Sequence, residues 1–378
     1  MTVQTAVHRP APARLVAPLF PSLPDLAITD ELTSAIQDGA WIVFNLSGGK
    51  DSGAAIFAVN LYLDLLGHPR ERRMAIHADL GRAEWASTTH TIQRIVAAGG
   101  TPLTVVRRAA GDLVDRWIQR FESGKRRYEA LETYHLIGPW SSASLRFCQS
   151  EMKAAVIGPA VARMLPGEHI ISVLGLRRDE SHNRAAIPIV RPDYRHAKAG
   201  NRQGTTMSLW NPLVDWTAAD VFRAHDLLGI PLHEAYTDWG SSRLSCRYCI
   251  FASLQDLQAS SAAPANGDVY RELVGIEARS TFPFQPTRWL ADVAPYLLSP
   301  SHRAVTRPRT VLRVGALTIS GRTLSKIRLG EQGYAGAIDQ LVSLGLPRPA
   351  THEDPAQWLW RLEHDRLLLR HRQAGLYA

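Results

Sequence analysis

The stretch WIVFNLSGGKDSG, residues Trp41 to Gly53, passes from an apolar β-branched segment directly into glycines, a lysine, an aspartate and a serine. Apolar residues at helical spacing resume at once in AAIFAVNLYLDLLG. A strand, a glycine turn and a helix in this order are typical of phosphate binding. Glycines let the backbone approach an anion, and the helix presents unpaired N–H groups and its positive dipole end. We therefore predict an anion-binding loop, to which Lys50 adds a positive charge.

The loop departs from the common nucleotide signature G-x-x-x-x-G-K-[ST]. If Gly49 and Lys50 were its Gly-Lys pair, Phe44 would occupy the leading glycine position and Asp51 the Ser or Thr position. The sequence therefore predicts a phosphate loop of another class. A tight turn whose glycines serve only backbone geometry is the alternative interpretation at this point.

The composition is typical of a globular protein with one large or two ordinary domains. The chain has 378 residues, of which 45% are hydrophobic and 21% charged. Its apolar runs are all shorter than a membrane span, and proline interrupts the N-terminal segment MTVQTAVHRPAPARLVAPLFPSLP. These features predict a cytoplasmic protein with a loose N-terminal arm and no membrane partner.

The charge balance makes a polyanionic partner a hypothesis to test. The formal net charge is +8 and the isoelectric point about 9.6. Residues 301–330 contain no acid and seven basic residues: Arg303, Arg307, Arg309, Arg313, Arg322, Lys326 and Arg328. A solvated face and a nucleic-acid contact are both consistent with such a run.

Strand and helix patterns alternate through the first two thirds of the chain. Met74–Ala78, TPLTVVRR and HIISVLGLR have the character of strands, and helical patterns lie between them. This alternation predicts a doubly wound α/β fold with a mainly parallel sheet and ligands at the carboxyl ends of its strands. We predict an arm and first helix over 1–40, the α/β domain over 41–258, and a mainly helical basic region over 259–378.

Three cysteines are present: Cys148 in LRFCQSEMK, and Cys246 and Cys249 in LSCRYCIF. An odd number in a cytosolic chain argues against a disulfide framework. From the residues alone, the C-x-x-C pair is consistent with a redox pair, half of a zinc site or part of an iron–sulfur site.

Several segments, in the order in which they occur along the chain, resemble motifs of one superfamily. SGGKDS resembles the loop of the N-type ATP pyrophosphatases, and HADLG resembles the D-T-G of their next strand, with Leu80 in place of Thr. LRFCQSEMK and GLRRDESHNR resemble the R-x-C…K and G-x-R-x-x-E-S-x-x-R segments of the phosphoadenosine phosphosulfate (PAPS) reductase family. NPLVDWTAADVF, GIPLHEAY and C-x-x-C complete the order, so the resemblance covers about Trp41 to Ser253.

The resemblance implies an adenine nucleotide alpha hydrolase-like, Rossmann-like fold that binds ATP or a sulfonucleotide with Mg²⁺. It implies that Lys50, Asp51 and Arg177 are catalytic. The implied nucleotide-binding residues are Ser47, Gly48, Gly49, Lys50, Asp51, Ser52, Asp79, Gly81, Gly175, Arg177, Glu180 and Arg184. Asp51 and Asp79 are acids beside an anion, so we expect each of them to hold Mg²⁺ or a loop amide. Arg177 and Arg184 suit phosphate or sulfate recognition, with Glu180 orienting one of them.

Two departures from the family direct the functional prediction. Sulfonucleotide reductases carry a catalytic cysteine near the C-terminus, whereas the last cysteine here is Cys249. Cluster-bearing members have a Cys-Cys pair where this chain has Phe147-Cys148. The resemblance implies that Cys148, Cys246 and Cys249 hold a [4Fe–4S] cluster with one open iron, with Zn²⁺ as the alternative metal.

Together these features predict an ATP pyrophosphatase that adenylates a substrate oxygen for sulfur incorporation, as in DNA phosphorothioate modification. Nucleic acid, with DNA favoured over tRNA, is the implied acceptor, and a cysteine desulfurase is the implied sulfur donor. The alternatives are a PAPS or APS reductase or another sulfate-assimilation enzyme, tRNA or small-molecule thiolation, and a catalytically idle nucleotide-binding module.

Overall fold

A six-stranded sheet forms the centre of the first part of the chain. The computed structural model describes residues 22–129, 137–280, 282–300, 311–314, 317–320, 339 and 342. Its main sheet has the order β3-β2-β1-β4-β6-β5, and every neighbouring pair is parallel except β5 with β6. These strands are β1 Trp41–Asn45, β2 Arg73–Asp79, β3 Leu103–Arg107, β4 His169–Val173, β5 Val190–Pro192 and β6 Thr206–Trp210.

Helices lie between these strands along the chain and continue beyond the last of them. In chain order they are α1 Asp30–Gln37, α2 Lys50–Leu65, α3 Thr88–Gly99, α4 Leu113–Glu129, α5 Phe147–Gln149, α6 Ala155–Met164, α7 Ala218–Leu228, α8 Glu234–Thr237, α9 Leu254–Ala262 and α10 Gly267–Ser280. The predicted doubly wound, mainly parallel α/β fold is therefore confirmed. Among these described helices, none is both long and apolar enough to cross a lipid bilayer.

Local sequence explains where several helices begin and end. Thr217 caps α7 by accepting the N–H of Asp220, whose carboxylate in turn accepts the N–H of Thr217. The pattern that predicts a helix before Gly99 and Gly100 is matched by α3, which ends with Gly100 in the left-handed conformation. These signals are local, so the sequence alone reveals them.

The connections between strands change direction between β1 and β4, and such a place is called a topological switch point. The chain leaves β1 toward β2 on one side and reaches β4 on the other side only after β3. Crevices at the carboxyl ends of strands at such a point are the usual ligand sites of open α/β sheets. The loop that follows β1 and the loop that follows β4 are therefore the two segments expected to meet a ligand.

One apolar core fills the space between β1, β4 and the helices on one face. It includes Ile42 and Phe44 of β1, Ile56 of α2, Ile171 of β4 and Trp210 of β6, all almost completely buried. A smaller cluster on the other face contains Val43, Ile76 and Ile170. β1 contributes to both clusters because successive side chains of a strand point to opposite faces.

The chain divides into two compact units. The first comprises residues up to Asp112 together with Arg146–Arg247, and the second comprises Leu113–Leu145 together with the residues from Tyr248 onward. The second unit has an aromatic core in which Trp140 lies edge-on to Trp117 at 5.5 Å and to Phe284 at 4.9 Å, measured between ring centroids. The predicted division at 40/41 and 258/259 stays a prediction.

The basic segment over 301–330 contains a structural feature that its sequence pattern did not predict. The strands β7 Val311–Val314 and β8 Leu317–Ser320 pair as a two-stranded antiparallel sheet. The side chains of the seven basic residues, and residues 1–21 of the predicted N-terminal arm, lie outside the described residues.

Candidate nucleotide-binding site

The loop after β1 leads directly into the N-terminus of α2. Gly48 has a φ of +74°, a conformation that favours glycine, and Gly49 is the N-cap of the helix. Gly49 has no side chain to cap the first turn, in which the N–H of Lys50 donates to the hydroxyl of Tyr236 at 3.4 Å. The first N–H groups of α2 therefore point toward the carboxyl end of the sheet, as a phosphate-binding helix requires.

The serines of the loop stabilise its shape from within. The Ser52 hydroxyl accepts the N–H of Ser47 at 3.2 Å and donates to the carbonyl of Gly49 at 3.0 Å. The hydroxyls of Ser47 and Ser52 also lie 3.2 Å apart. In this structure, both predicted serines contact the loop itself.

Gly175, in the loop after β4, lies against the backbone of the first turn of α2. A Cβ placed on Gly175 would be 2.6 Å from the carbonyl carbon of Asp51 and 2.7 Å from the nitrogen of Ser52. Side-chain carbons do not approach backbone atoms so closely. Glycine is therefore required here for the two loops of the switch point to meet.

Lys50 is buried beside the loop, with a side-chain exposure of 6%. Its Nζ lies 3.2 Å from Oδ2 of Asp51, and the rings of Phe222 and Tyr236 lie 5.6 and 5.5 Å from it. Aromatic faces attract a cation, so this lysine is held between one carboxylate and two rings. The backbone of Lys50 is in contact as well, because Nε2 of His225 lies 2.8 Å from its carbonyl oxygen.

Asp51 and Arg177 form a buried ion pair that connects α2 to the loop after β4. Nε of Arg177 lies 2.5 Å from Oδ1 of Asp51, and its Nη1 contacts Asp179. Arg177 is only 4% exposed. Asp51 therefore has a cationic partner on each oxygen, Lys50 on one and Arg177 on the other.

The second predicted arginine, Arg184, pairs with the predicted Glu180. Glu180 also accepts the backbone N–H of Arg177 at 3.3 Å. Burial lowers the pKa of Arg184 below its usual range, and the charges of Arg243 and Arg146 lower it further. Arginines that repel one another in this way mark a region of positive potential, which favours an anionic ligand.

Asp79 ends β2 and is engaged by its neighbours. Its Oδ1 accepts the N–H of Gly81 at 2.6 Å, and its Oδ2 forms an ion pair with Arg107. Burial alone would raise the pKa of Asp79, but the hydrogen bonds from Arg107 and Gly81 lower it below the usual value. A Cβ on Gly81 would collide with Asp112, which explains the glycine at that position.

The predicted Mg²⁺ ligands already have partners in this structure. Asp51 contacts Lys50 and Arg177, and Asp79 contacts Gly81 and Arg107. Among the described residues, no group of three or more His, Cys, Asp or Glu side chains is arranged to hold a metal ion. The arrangement thus fits an anionic phosphate better than a protein-held cation, and Mg²⁺ binding stays a prediction.

The three cysteines are partly buried. Cys148 lies in α5, where a π-helical turn over Ser150–Ala154 follows it, and Cys246 lies in the same compact unit. Cys249 belongs to the second unit, where its sulfur accepts the N–H of Phe251 at 3.4 Å. The described residues do not form a three-cysteine metal centre, so the cluster stays a prediction that rests on the family resemblance.

Four residues near the loop were not singled out by the sequence: Phe222, His225, Tyr236 and Arg243. Phe222, the last residue of the family-like segment NPLVDWTAADVF, and His225 lie on the amphipathic helix α7, whose pattern resembles that of any core helix. Tyr236 lies in the family-like segment GIPLHEAY, and Arg243 lies three residues before Cys246. The sequence therefore shows that both residues lie in or near motifs of the family, but not that they lie near the glycine loop.

A helix with a glycine N-cap begins at the switch point of a doubly wound sheet, and buried cationic groups surround its first turn. These features define a nucleotide-binding α/β protein of the phosphate-loop type. Residues 41–252, more than half of the chain, match the family described as the phosphoadenosine phosphosulfate reductase domain. The chain therefore belongs to this family, as its motifs predicted.

Two solved structures that match the chain are distant from it in sequence. The phosphate complex of the phosphoadenylyl-sulfate (PAPS) reductase from Candida auris is 12% identical, with a TM-score of 0.33, over 59% of this chain and 98% of that chain. The U34-tRNA thiolase from Methanococcus maripaludis with its [4Fe-4S] cluster is 14% identical, with a TM-score of 0.37, over 71% of this chain and 75% of that one. No curated protein sequence matches the chain.

Proposed function

We propose that this protein is an ATP pyrophosphatase that adenylates a substrate oxygen in preparation for sulfur incorporation. The observation that carries the proposal is the meeting of two loops at the switch point. The N-cap of α2 is Gly49, which has no capping side chain, and the backbone of Gly175 closes against the first turn of the helix. This arrangement suits the pyrophosphate portion of ATP, which is expelled when the α-phosphorus is attacked.

The chain's own residues support binding of that leaving group. The N–H groups of the first turn of α2 donate to the pyrophosphate, and Lys50 supplies a charge from its buried position. Lys50 and Arg177 share the carboxylate of Asp51, so each has a counter-ion before the nucleotide arrives. When phosphate oxygens replace that carboxylate as partners, the charges remain compensated and Asp51 is released.

Release of Asp51 gives this residue a role that depends on the ligand. With its cationic partners drawn toward phosphate, the carboxylate is free to accept a hydrogen bond from a loop amide or to approach a cation brought by the nucleotide. Arg177 keeps Asp179 as a second partner throughout, so it stays anchored to the loop after β4.

The adenylated substrate then reacts with sulfur. The substrate oxygen attacks the α-phosphorus, the bond to the β-phosphate oxygen breaks, and pyrophosphate leaves. A sulfur nucleophile next displaces AMP, which departs with the original oxygen. Adenylation turns a poor leaving group into a good one, and membership of a sulfonucleotide family supports sulfur as the incoming atom.

We propose nucleic acid as the acceptor, with phosphorothioate modification of DNA as the leading case and a cysteine desulfurase as the sulfur donor. The support is the net charge of +8 and the acid-free basic segment over 301–330. A salt titration of duplex DNA binding, with tRNA as competitor, tests this part. Salt-insensitive binding contradicts it, and a preference for tRNA changes the acceptor.

The three cysteines stay a prediction of a [4Fe–4S] cluster, with Zn²⁺ as the alternative. The described residues form no such centre, so metal content has to be measured directly. Iron and acid-labile sulfide in anaerobically purified protein, and their loss in Cys148→Ala, are the expected results. One equivalent of zinc without iron supports the structural metal instead.

Sulfonucleotide reduction is the second candidate, and the family match favours it directly. A reductase releases sulfite from PAPS or APS and needs a thiol as reductant. An ATP pyrophosphatase releases AMP and pyrophosphate from ATP without any reductant.

Product analysis decides between the two. We expect the protein with ATP and Mg²⁺ to yield AMP and pyrophosphate, separable by chromatography, and Lys50→Met to lose this activity. Lys198→Ala, which removes an exposed lysine, is the matched control and is expected to keep it. ADP and phosphate as products would contradict the proposal, and sulfite release from PAPS with a thiol would favour reduction.

A further inference from the structure

Tyr236 lies on the short helix α8, and its hydroxyl group meets the first residue of α2. The hydroxyl oxygen accepts the N–H of Leu244 at 2.8 Å and the N–H of Lys50 at 3.4 Å. Two backbone donors therefore occupy the two lone pairs of this oxygen. The hydroxyl proton has to be donated elsewhere.

No acceptor for that proton is found among the described residues near Tyr236. Burial raises the pKa of Tyr236 to about 12, so the phenol keeps its proton at neutral pH. The side chain is only partly buried, so this proton is left to water or to a ligand. A ligand oxygen at this point would accept the proton in a hydrogen bond.

The position of the hydroxyl relative to the loop identifies what such a ligand is. A Cβ placed on Gly49 would lie 3.5 Å from the Tyr236 hydroxyl oxygen. The phenol thus faces the glycine backbone at the point where α2 begins. Its ring is fixed by an edge-on contact with Phe222, with ring centroids 5.8 Å apart.

We propose that the hydroxyl of Tyr236 donates a hydrogen bond to a phosphate oxygen of the nucleotide bound at the N-terminus of α2. The ligand class is a polyphosphate, because the loop that Tyr236 faces would hold the pyrophosphate portion. This assignment rests on the nucleotide site of the proposed function and does not depend on cleavage of the nucleotide. Tyr236 becomes a ligand-binding residue in addition to those of the family motifs.

The proposal predicts a dependence on the number of phosphates. ATP and inorganic pyrophosphate both place charged oxygens at the loop, whereas AMP carries only the phosphate next to the ribose. A hydrogen bond to a charged oxygen is stronger than one between neutral groups. Removing the hydroxyl is therefore expected to weaken ATP and pyrophosphate binding more than AMP binding.

The test is calorimetric binding of ATP, inorganic pyrophosphate and AMP to the full chain and to Tyr236→Phe. Phenylalanine keeps the ring beside Lys50 and Phe222 and removes only the hydroxyl. We expect ATP and pyrophosphate affinities to fall by about tenfold or more, and AMP affinity by about twofold or less. The matched control is Tyr62→Phe, which removes a buried hydroxyl on α2, 3.4 Å from that of Thr33, and should leave all three affinities unchanged.

Two results would overturn the assignment. Unchanged ATP affinity in Tyr236→Phe would mean that the hydroxyl does not contact the ligand. An equal loss for all three ligands, together with a lower melting temperature than Tyr62→Phe, would mean that the hydroxyl only supports the backbone of Lys50 and Leu244. Failure of the proposed function is distinguishable, because then the unaltered protein itself binds no ATP or releases no AMP from it.

Discussion

Each of the two compact units buries charge, but the two units neutralise it differently. In the first unit, Asp51 is paired with the side chains of Lys50 and Arg177. In the second unit, Glu277 on α10 is only 1% exposed and accepts hydrogen bonds from backbone groups. Its Oε1 accepts from Phe284 at 2.7 Å and Leu290 at 2.8 Å, and its Oε2 accepts from Ala291 at 3.1 Å.

The difference shows how to separate a ligand site from a structural centre. Charged side chains can leave one partner for another, so the pairs around Asp51 can open toward a phosphate. Backbone N–H groups are fixed by the fold, so the carboxylate of Glu277 holds the segment over 284–291 in place. We therefore expect substitutions at the first centre to change activity and substitutions at the second to change stability.

The largest effect is expected from Asp51→Asn. Asparagine has the same shape as aspartate but carries no negative charge. Lys50 and Arg177 therefore lose the counter-ion that holds both cations in position. We expect the rate of ATP cleavage to fall by about 100-fold, an effect typical of lost electrostatic preorganisation. Product formation over time measures it. Activity within about threefold of the unaltered protein would remove Asp51 from the catalytic set.

Gly175→Ala is expected to have the next largest effect. The new Cβ would push against the backbone of Asp51 and Ser52, and displacement of the first turn of α2 should weaken ATP binding by about tenfold or more. Gly99→Ala is the matched control, because a Cβ there would lie 3.7 Å from its nearest neighbour, Asn60. Equal affinity in both variants would show that the two loops need not meet.

Much of this fold could be predicted from sequence, because the signals are local. β1, the glycine loop and α2 follow from apolar runs separated by Gly48 and Gly49, and α3 ends at the glycines that predicted its end. The antiparallel edge strand Val190–Pro192 was not predicted, because three residues carry too little pattern. The pairing of β7 with β8 was missed for the same reason.

The site was predictable only in part. Gly175 was visible as a motif glycine, but the reason for it lies in backbone atoms of Asp51, far away in the chain. Tyr236 and Phe222 were not assigned roles, because their meeting around Lys50 depends on how α7 and α8 pack. Contacts between residues that are far apart in the chain produce no periodic pattern in a single sequence.

Glu277→Gln tests whether the charged centre of the second unit contributes to stability rather than to activity. The amide group cannot accept hydrogen bonds at both ends, so at least one backbone N–H loses its acceptor. We expect the free energy of unfolding to fall by about 1 to 3 kcal/mol, with ATP affinity unchanged. Chemical denaturation measures the first quantity and calorimetry the second. A loss of ATP affinity without a loss of stability would break the distinction between the two centres.

The same residue should make stability depend on pH. Burial raises the pKa of Glu277 from 4.5 to about 7, against the three backbone hydrogen bonds that lower it. The folded state then holds the proton more tightly than the unfolded chain, so the free energy of unfolding should fall as pH rises from 4.5 to about 7. The slope from this group is on the order of 1 kcal/mol per pH unit. Glu277→Gln should flatten the slope in this window, and an identical slope in both proteins would contradict the shift.

The smallest effect is expected at Arg178, the neighbour of Arg177 in the same motif. Arg178 pairs with Asp215, whose side chain is 59% exposed, so water screens this ion pair. Asp215→Asn should therefore change the free energy of unfolding by less than about 1 kcal/mol and leave ATP cleavage unchanged. Arg178 also retains its hydrogen bond to the carbonyl of Ile187 at 3.0 Å, which holds the loop without the carboxylate.

Denaturation and product assays run beside Asp51→Asn measure both quantities. Asp215→Asn could instead lower the rate of ATP cleavage as much as Asp51→Asn does. The exposed pair of Arg178 would then matter as much as the buried pair of Arg177, and burial would not identify Arg177 as the arginine that binds the ligand.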